Sequence, residues 1–118
     1  MIEITMNTAR FKLTVKGHAE PEEDGQYKEI CAAASALAQA LAYSISKFPG
    51  DAMKSFEYRP EPGDLLIRAY PEDWAELGTK NRFKAYAEGL ELLALSHPQS
   101  ITMILDGEKI IPEKEART

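Results

Sequence analysis

Cysteine, histidine and long apolar runs are scarce in this sequence, and each scarcity excludes a class of protein. The 118 residues contain one cysteine and two histidines. A single cysteine excludes an internal disulfide, and the N-terminus lacks the basic and apolar regions of a secretory signal, so we expect a cytoplasmic protein. No run of about 18 apolar residues occurs, which argues against a membrane-spanning helix.

Positive charge is also short. The chain has 14 Lys and Arg against 19 Asp and Glu, and its net charge of -5 gives no electrostatic reason to bind nucleic acid directly. The hydrophobic fraction of 44% and the charged fraction of 28% are those of an ordinary globular protein. A chain of this length can bury one modest core, so we predict a single domain over residues 1–111 and a flexible charged tail over 112–118.

Two segments near the N-terminus show the alternation of half-buried strands, which predicts a hairpin. The alternating apolar residues are Ile2, Ile4 and Met6 in the first segment and Phe11, Leu13 and Val15 in the second. Gly17 ends the second strand and leaves His18 at its end. The following residues, 19–28, are polar and acidic and predict a loop.

A helical period follows over about residues 28–48 and stops at Pro49-Gly50. Its apolar stripe is Ile30, Ala34, Leu37, Leu41, Ile45 and Phe48. No residue between Cys31 and Ser46 is charged. A helix with so little polar surface is expected to be covered on more than one side, by a second helix or by a partner subunit.

The second half of the chain predicts two strands, a helix and a last strand. Residues 55–58 and 65–70 have strand character and are separated by a Pro- and Gly-containing turn over 59–64. The helical stripe over about 81–96 is preceded by a short turn at 71–74, and Gly78 argues against one continuous helix. Residues 101–105 alternate as a strand, and Asp106-Gly107 is a hairpin-type turn. The whole order predicts a two-layer α+β domain with helices packed on a sheet.

Cys31 lies near the start of the first predicted helix, where two kinds of assistance could activate a thiol. A cysteine attacks as the thiolate, whose formation is favoured by a helix N-terminus and by a histidine that takes the proton. First-turn amides could also stabilise an oxyanion if the helix begins near Lys28. The alternative interpretation is a small buried hydrophobe, but Cys31 falls on the flank of the apolar stripe and not at its centre.

Each neighbouring polar residue likewise has a structural and a functional interpretation. His18 is either a solvated residue at the end of a strand or a general base. The acidic run at 20–24 is either a solvated loop or a lid, and Ser35 is either a small packing residue or a hydrogen-bonding member of the site. His97, in a turn beside Pro98, is interpreted as structural.

The residues around the cysteine and the histidine are more specific than their spacing. Gly17-His18-Ala19, a loop containing Gly25, and the run Cys31-Ala32-Ala33-Ala34-Ser35-Ala36-Leu37 together resemble the Prp family of ribosomal-processing cysteine proteases. In that family a Gly-His-Ala turn supplies the histidine, and the cysteine opens a helix with the pattern Cys-Ala-x-x-Ser-Ala-Leu. The resemblance covers about twenty residues, and the second half of the chain offers no motif.

The resemblance implies a dyad in which His18 is the general base and Cys31 the nucleophile, with Gly17, Gly25 and Ser35 in support. It implies a homodimer, a protein substrate from which a short N-terminal extension is removed, and neither a metal nor an organic cofactor. Family members process a large-subunit ribosomal protein, and phage-type examples involve capsid-related proteins.

This sequence departs from the family pattern in two places. The family usually has one residue fewer between the histidine and the cysteine, and it has Asp-Ile-Val before the cysteine where this chain has Lys28-Glu29-Ile30. Glu29 replaces the missing aspartate if the shift falls just before the helix. The hypothesis is therefore a cysteine endopeptidase that cuts a ribosomal or capsid-related protein; the alternative is a non-catalytic dimeric binding module that acts in ribosome or capsid assembly.

Overall fold

The computed structural model describes residues 1–18 and 27–112. The elements in chain order are β1 (Ile2–Asn7), β2 (Lys12–Gly17), α1 (Tyr27–Ser46), β3 (Met53–Glu61), β4 (Asp64–Pro71), α2 (Glu76–Ser96), β5 (Ile101–Leu105) and β6 (Glu108–Ile110), with one 3-10 turn at Asp73–Ala75 before α2. The predicted α+β architecture is confirmed. The strand β6, which follows the predicted hairpin turn at Asp106-Gly107, was not itself predicted.

One six-stranded sheet has the order β3-β4-β2-β1-β5-β6. All neighbouring strands are antiparallel except β1 and β5, which are parallel, with Ile4 opposite Met103. The alternation of the sequence sends one set of side chains from every central strand into the core. These are Ile2, Ile4, Met6, Leu13, Val15, Leu65, Ile67, Ala69, Ile101 and Met103, all buried.

Both helices cover the same face of the sheet and lie side by side. The buried stripe of α1 contains Ile30, Ala34, Ala38, Leu41, Ala42 and Ile45, and that of α2 contains Phe83, Ala87, Leu90 and Ala94. Leu37 faces Gly89, and Phe48 at the other end of α1 faces Gly78, so the helices run antiparallel. Of the two covers expected for α1, a second helix or a partner subunit, the second helix is present.

Two predictions about the second half were wrong. The helix α2 runs through Gly78 without a break; the missing side chain there leaves room for the ring of Phe48, since a Cβ would lie 3.2 Å from two ring carbons. The turn predicted over 59–64 contains only residues 62–63, because β3 extends to Glu61 and includes Pro60. An edge strand tolerates proline because one side of its backbone has no ladder to break.

No helix within the described residues combines the length and apolarity needed to cross a membrane.

Candidate active site

His18 follows the last residue of β2, and backbone contacts fix the chain at this point. Gly17 has φ +85°, and a Cβ there would overlap the carbonyl oxygen of Met1. The Gly17 N–H donates a 2.9 Å hydrogen bond to the carbonyl oxygen of Gly63 in the β3–β4 turn. The N-terminal ammonium of Met1 donates to the carbonyl oxygen of His18. Gly17 is therefore required by its conformation and by a close backbone approach, and His18 leaves the sheet at a fixed position with an exposed side chain.

Cys31 is the fifth residue of α1, which begins at Tyr27. In a helix that starts at Tyr27, the first-turn N–H groups of residues 27–29 have no intrahelical acceptor, and Cys31 follows this turn. The side chain of Cys31 is half-buried, next to the buried Ile30. This intermediate burial confirms the prediction that Cys31 lies on the flank of the apolar stripe.

His18 and Cys31 line the same cavity, which has a volume of about 340 Å³. It lies between the N-terminal half of α1, the ends of β1 and β2, and the β3–β4 turn. Its remaining lining residues are Ile2, Val15, Gly17, Ala32, Ala34, Ser35, Gln39, Pro60, Glu61, Pro62, Gly63 and Leu65. The cavity thus has a mostly apolar lining with a few polar residues, a composition typical of sites that bind a ligand and fix its orientation.

Ser35 also lines this cavity, one helical turn after Cys31. Gln39 Nε2 donates a 2.8 Å hydrogen bond to Ser35 Oγ, and Gln39 lines the same cavity. The structure therefore places Ser35 in a hydrogen-bonded pair and not among apolar neighbours alone.

Of the other predicted supporting residues the structure describes only Glu29, which is not in the lining of this cavity. Glu29 is exposed and lines a separate pocket with Ile30, Ala33, Leu93 and His97. Gly25 and the acidic run at 20–24, interpreted as a solvated loop or a lid, lie outside the described residues. The backbone N–H of His97 donates to the carbonyl oxygens of Leu93 and Ala94 and so caps α2, consistent with a structural role.

The second half of the chain supplies part of the cavity that sequence reasoning did not assign. Pro60, Pro62, Gly63 and Leu65 form the wall opposite α1. Gly63 has φ +76°, and a Cβ built there would overlap Nε2 of His18. The only local signal was a Pro-Gly pair, which is typical of any tight turn and does not indicate what the turn contacts.

A thiol and an imidazole that line one apolar-walled cavity provide the groups needed for covalent acyl transfer. The thiol can form a bond to a carbonyl carbon, and the imidazole can accept and return a proton. In the described part of the chain, no three His, Cys, Asp or Glu side chains are gathered where they could hold a metal ion.

Comparison with known protein families identifies a related family. The family model for "Cysteine protease Prp" aligns with residues 1–102 of this chain. A comparison with curated proteins gives no match.

Solved structures with the same fold include three that cover 89% of this chain. Two are crystal structures of the essential ribosomal processing protease Prp from S. aureus: one has a substrate peptide (17% identity, TM-score 0.68) and one a covalently linked product peptide (16% identity, TM-score 0.66), each with 99% of its own chain covered. The third is SMU.848 from Streptococcus mutans, with 22% identity, a TM-score of 0.66 and 93% of its chain covered. At 16–22% identity, these structures show that the fold is shared. The family is shown by the family model, which matches most of the sequence. The chain belongs to the Prp family of cysteine proteases.

Proposed function

We propose that this cysteine protease acts in the cytoplasm and removes a short N-terminal extension from a ribosomal or capsid-related protein, with Cys31 as nucleophile and His18 as general base. The observation that carries the proposal is the shared cavity, which has both residues in its lining. The S. aureus Prp structures with bound peptides support a peptide substrate, because they have the same fold.

The reaction begins when the Cys31 thiol transfers its proton to His18 and the sulfur attacks the scissile carbonyl carbon. The carbonyl π bond breaks and its oxygen becomes an oxyanion. Collapse of this tetrahedral intermediate breaks the C–N bond, and His18 returns the proton to the leaving amine. Water then hydrolyses the thioester, which releases the extension and restores the thiol.

Main-chain amides at the start of α1 are the donors we assign to the oxyanion. The described part of α1 starts at Tyr27, so the N–H groups of residues 27–29 belong to its first turn, where amides have no intrahelical acceptor, and the last of them is two residues before the nucleophile. The positive end of the helix dipole favours negative charge at the same place.

A homodimer is part of the proposal, and the surface of α1 supports it. This helix has no charged residue between Cys31 and Ser46. In the described monomer α2 and the sheet cover two of its sides, whereas Ala32, Ala36 and Tyr43 remain exposed. Such an uncharged, partly apolar strip suits contact with a second copy.

The test is cleavage of two synthetic precursors, one of a ribosomal protein and one of a capsid-related protein, each with its N-terminal extension. Mass spectrometry of the products maps the new N-terminus. We expect one precursor to be cut at a single bond, and Cys31→Ala and His18→Ala to abolish the cut while circular dichroism shows an unchanged fold.

His97→Ala is the matched control, because His97 is the second histidine and lies at the end of α2. Its activity should equal that of the wild type. Cleavage by purified Cys31→Ala, or equal losses in the two histidine variants, would contradict the proposed dyad. Tight binding of a precursor without any cleavage by the wild type would favour the non-catalytic module instead.

A further inference from the structure

The turn between β3 and β4 contacts the imidazole ring of His18. A Cβ built on Gly63 would overlap Nε2 of that ring, and it would lie 3.0 Å from Cε1 and 3.3 Å from Cδ2. The ring atom nearest to the turn is therefore Nε2, with its two bonded carbons next. Because Nδ1 lies across the ring from this edge, it faces away from the turn.

Backbone hydrogen bonds hold the turn in this place. The Gly63 carbonyl oxygen accepts the 2.9 Å hydrogen bond from the Gly17 N–H, one residue before His18. Asp64, the next residue, is opposite Lys16 in the β2–β4 ladder and opposite Glu61 in the β3–β4 ladder. The surface behind the imidazole is thus main chain anchored on two strands, and its position does not depend on a side-chain rotamer.

We propose that Gly63 is a positioning residue for His18: its bare Cα seats the Nε2 edge of the ring and leaves Nδ1 as the nitrogen that takes the proton from Cys31. This inference rests on the proposed dyad. The Sγ–H bond breaks and an Nδ1–H bond forms, which gives a thiolate and an imidazolium. The same Nδ1–H proton is later transferred to the leaving amine.

Two properties of Gly63 make glycine necessary. Its φ of +76° is a conformation that residues with a side chain rarely adopt, and the space where a Cβ would stand is occupied by the histidine ring. A methyl group at residue 63 displaces the ring away from the turn. Misplacement of a catalytic group by about 1 Å costs about 100-fold in rate.

Gly107 provides a matched control for the backbone effect. It also lies in a hairpin turn and has φ +87°, but a Cβ there would have no atom of the described residues within 4 Å. Gly63→Ala and Gly107→Ala therefore introduce similar backbone strain, and only the first touches His18.

We expect Gly63→Ala to lower kcat by about 100-fold while KM changes by less than about twofold, because the ring is displaced while the other residues of the cavity lining are unchanged. Gly107→Ala should have wild-type kinetics. Alkylation of Cys31 by iodoacetamide at neutral pH, which needs no substrate, should be slowed by Gly63→Ala to the same rate as by His18→Ala, and the double variant should be no slower.

The outcomes separate this inference from the proposed function. If His18→Ala alters neither cleavage nor alkylation, the dyad is wrong. If His18→Ala slows both but Gly63→Ala behaves like Gly107→Ala, the dyad stands and the role of Gly63 is wrong. A measurement on the wild-type protein does not depend on the folding of a variant: nuclear Overhauser effects from the Gly63 Hα protons should reach both Hε1 and Hδ2 of His18, and their absence would overturn the inference.

Discussion

The guanidinium of Arg82 lies over the ring of Phe48, with its central carbon 4.2 Å from the ring centroid. Its Nη1 also donates a 2.6 Å hydrogen bond to the carbonyl oxygen of Ser44. Ser44 belongs to the last turn of α1, where a positive charge is favourable, and its carbonyl oxygen also accepts a 3.2 Å hydrogen bond from the Lys47 N–H. One side chain of α2 thus caps α1 and fixes the aromatic ring that follows it.

Removal of this cap should destabilise the fold. We expect Arg82→Ala to lower the free energy of unfolding by about 1–3 kcal/mol, because a charged hydrogen bond and a cation–π contact are lost together. Urea denaturation measures the change. Lys84→Ala, an exposed position on the same helix, is the control and should change it by less than about 0.5 kcal/mol. Equal effects of the two substitutions would contradict this role.

Two glycines of α2 should respond to alanine in opposite directions. At Gly89 a Cβ would lie 3.2 Å from one methyl carbon of Leu37, a flexible side chain that can move aside. At Gly78 it would lie 3.2 Å from two carbons of the Phe48 ring, which Arg82 holds. Gly89→Ala should therefore gain up to about 1 kcal/mol of helix propensity, whereas Gly78→Ala should lose stability. Thermal unfolding of both variants measures the two changes in stability. Stabilisation by Gly78→Ala would contradict the prediction and show that the Phe48 ring is free to move.

Asp106 links the β5–β6 turn to the β1–β2 turn. Its two carboxylate oxygens accept hydrogen bonds from Thr8, one from the N–H at 2.7 Å and one from Oγ1 at 2.9 Å. Asp106→Ala should cost about 2 kcal/mol, since buried Thr8 loses both acceptors. Asp106→Asn should cost much less, because its amide can serve both groups and asparagine tolerates the φ of +50° at this position. Denaturant midpoints compare the two, and equal losses would exclude the hydrogen bonds as the cause.

The proposed dimer can be tested on the uncharged side of α1. Ala36→Glu places a carboxylate on its exposed surface and should weaken self-association by about tenfold or more, because the charge would be desolvated at the contact. Lys54→Glu, at an exposed position on the edge strand β3, is the control and should leave association unchanged. Sedimentation velocity over a concentration series measures both. A monomeric wild-type protein would end the dimer proposal.

The strands and the helix pair were predictable because their signals are local. Alternation of period two in Ile2, Ile4 and Met6 places all three on one face wherever the strand is paired, and all three are buried. The pairing itself was not predictable: the parallel contact of β1 with β5 joins residues about a hundred positions apart, and neither segment specifies its neighbour.

The local rules failed where a distant residue decided the outcome. Gly78 normally weakens a helix, but here it makes space for Phe48, which lies on another element. Pro60 normally ends a strand, but β3 is at the edge of the sheet. A sequence shows which residue stands at a position, but not the contacts with distant parts of the chain that allow it there.

The residues of the candidate site were also predictable only in part. His18 and Cys31 were found through the resemblance of the residues around them, and the structure places both at one cavity. Gly63 was missed because a glycine after a proline is sufficiently explained by a turn, and its contact with His18 exists only once β4 has paired with β2.

The parallel pairing of β1 and β5 limits the order in which the sheet can fold during synthesis. Ile2, which lines the cavity, donates a 2.8 Å hydrogen bond from its N–H to the Ser100 carbonyl oxygen. The edge of β1 that faces away from β2 is paired only by residues 101–105. A nascent chain can assemble α1 and the strands from β2 to β4 long before that edge is paired. The sheet is thus completed only after residues 101–105 have been synthesised, and a chain truncated before them exposes one unpaired edge of β1.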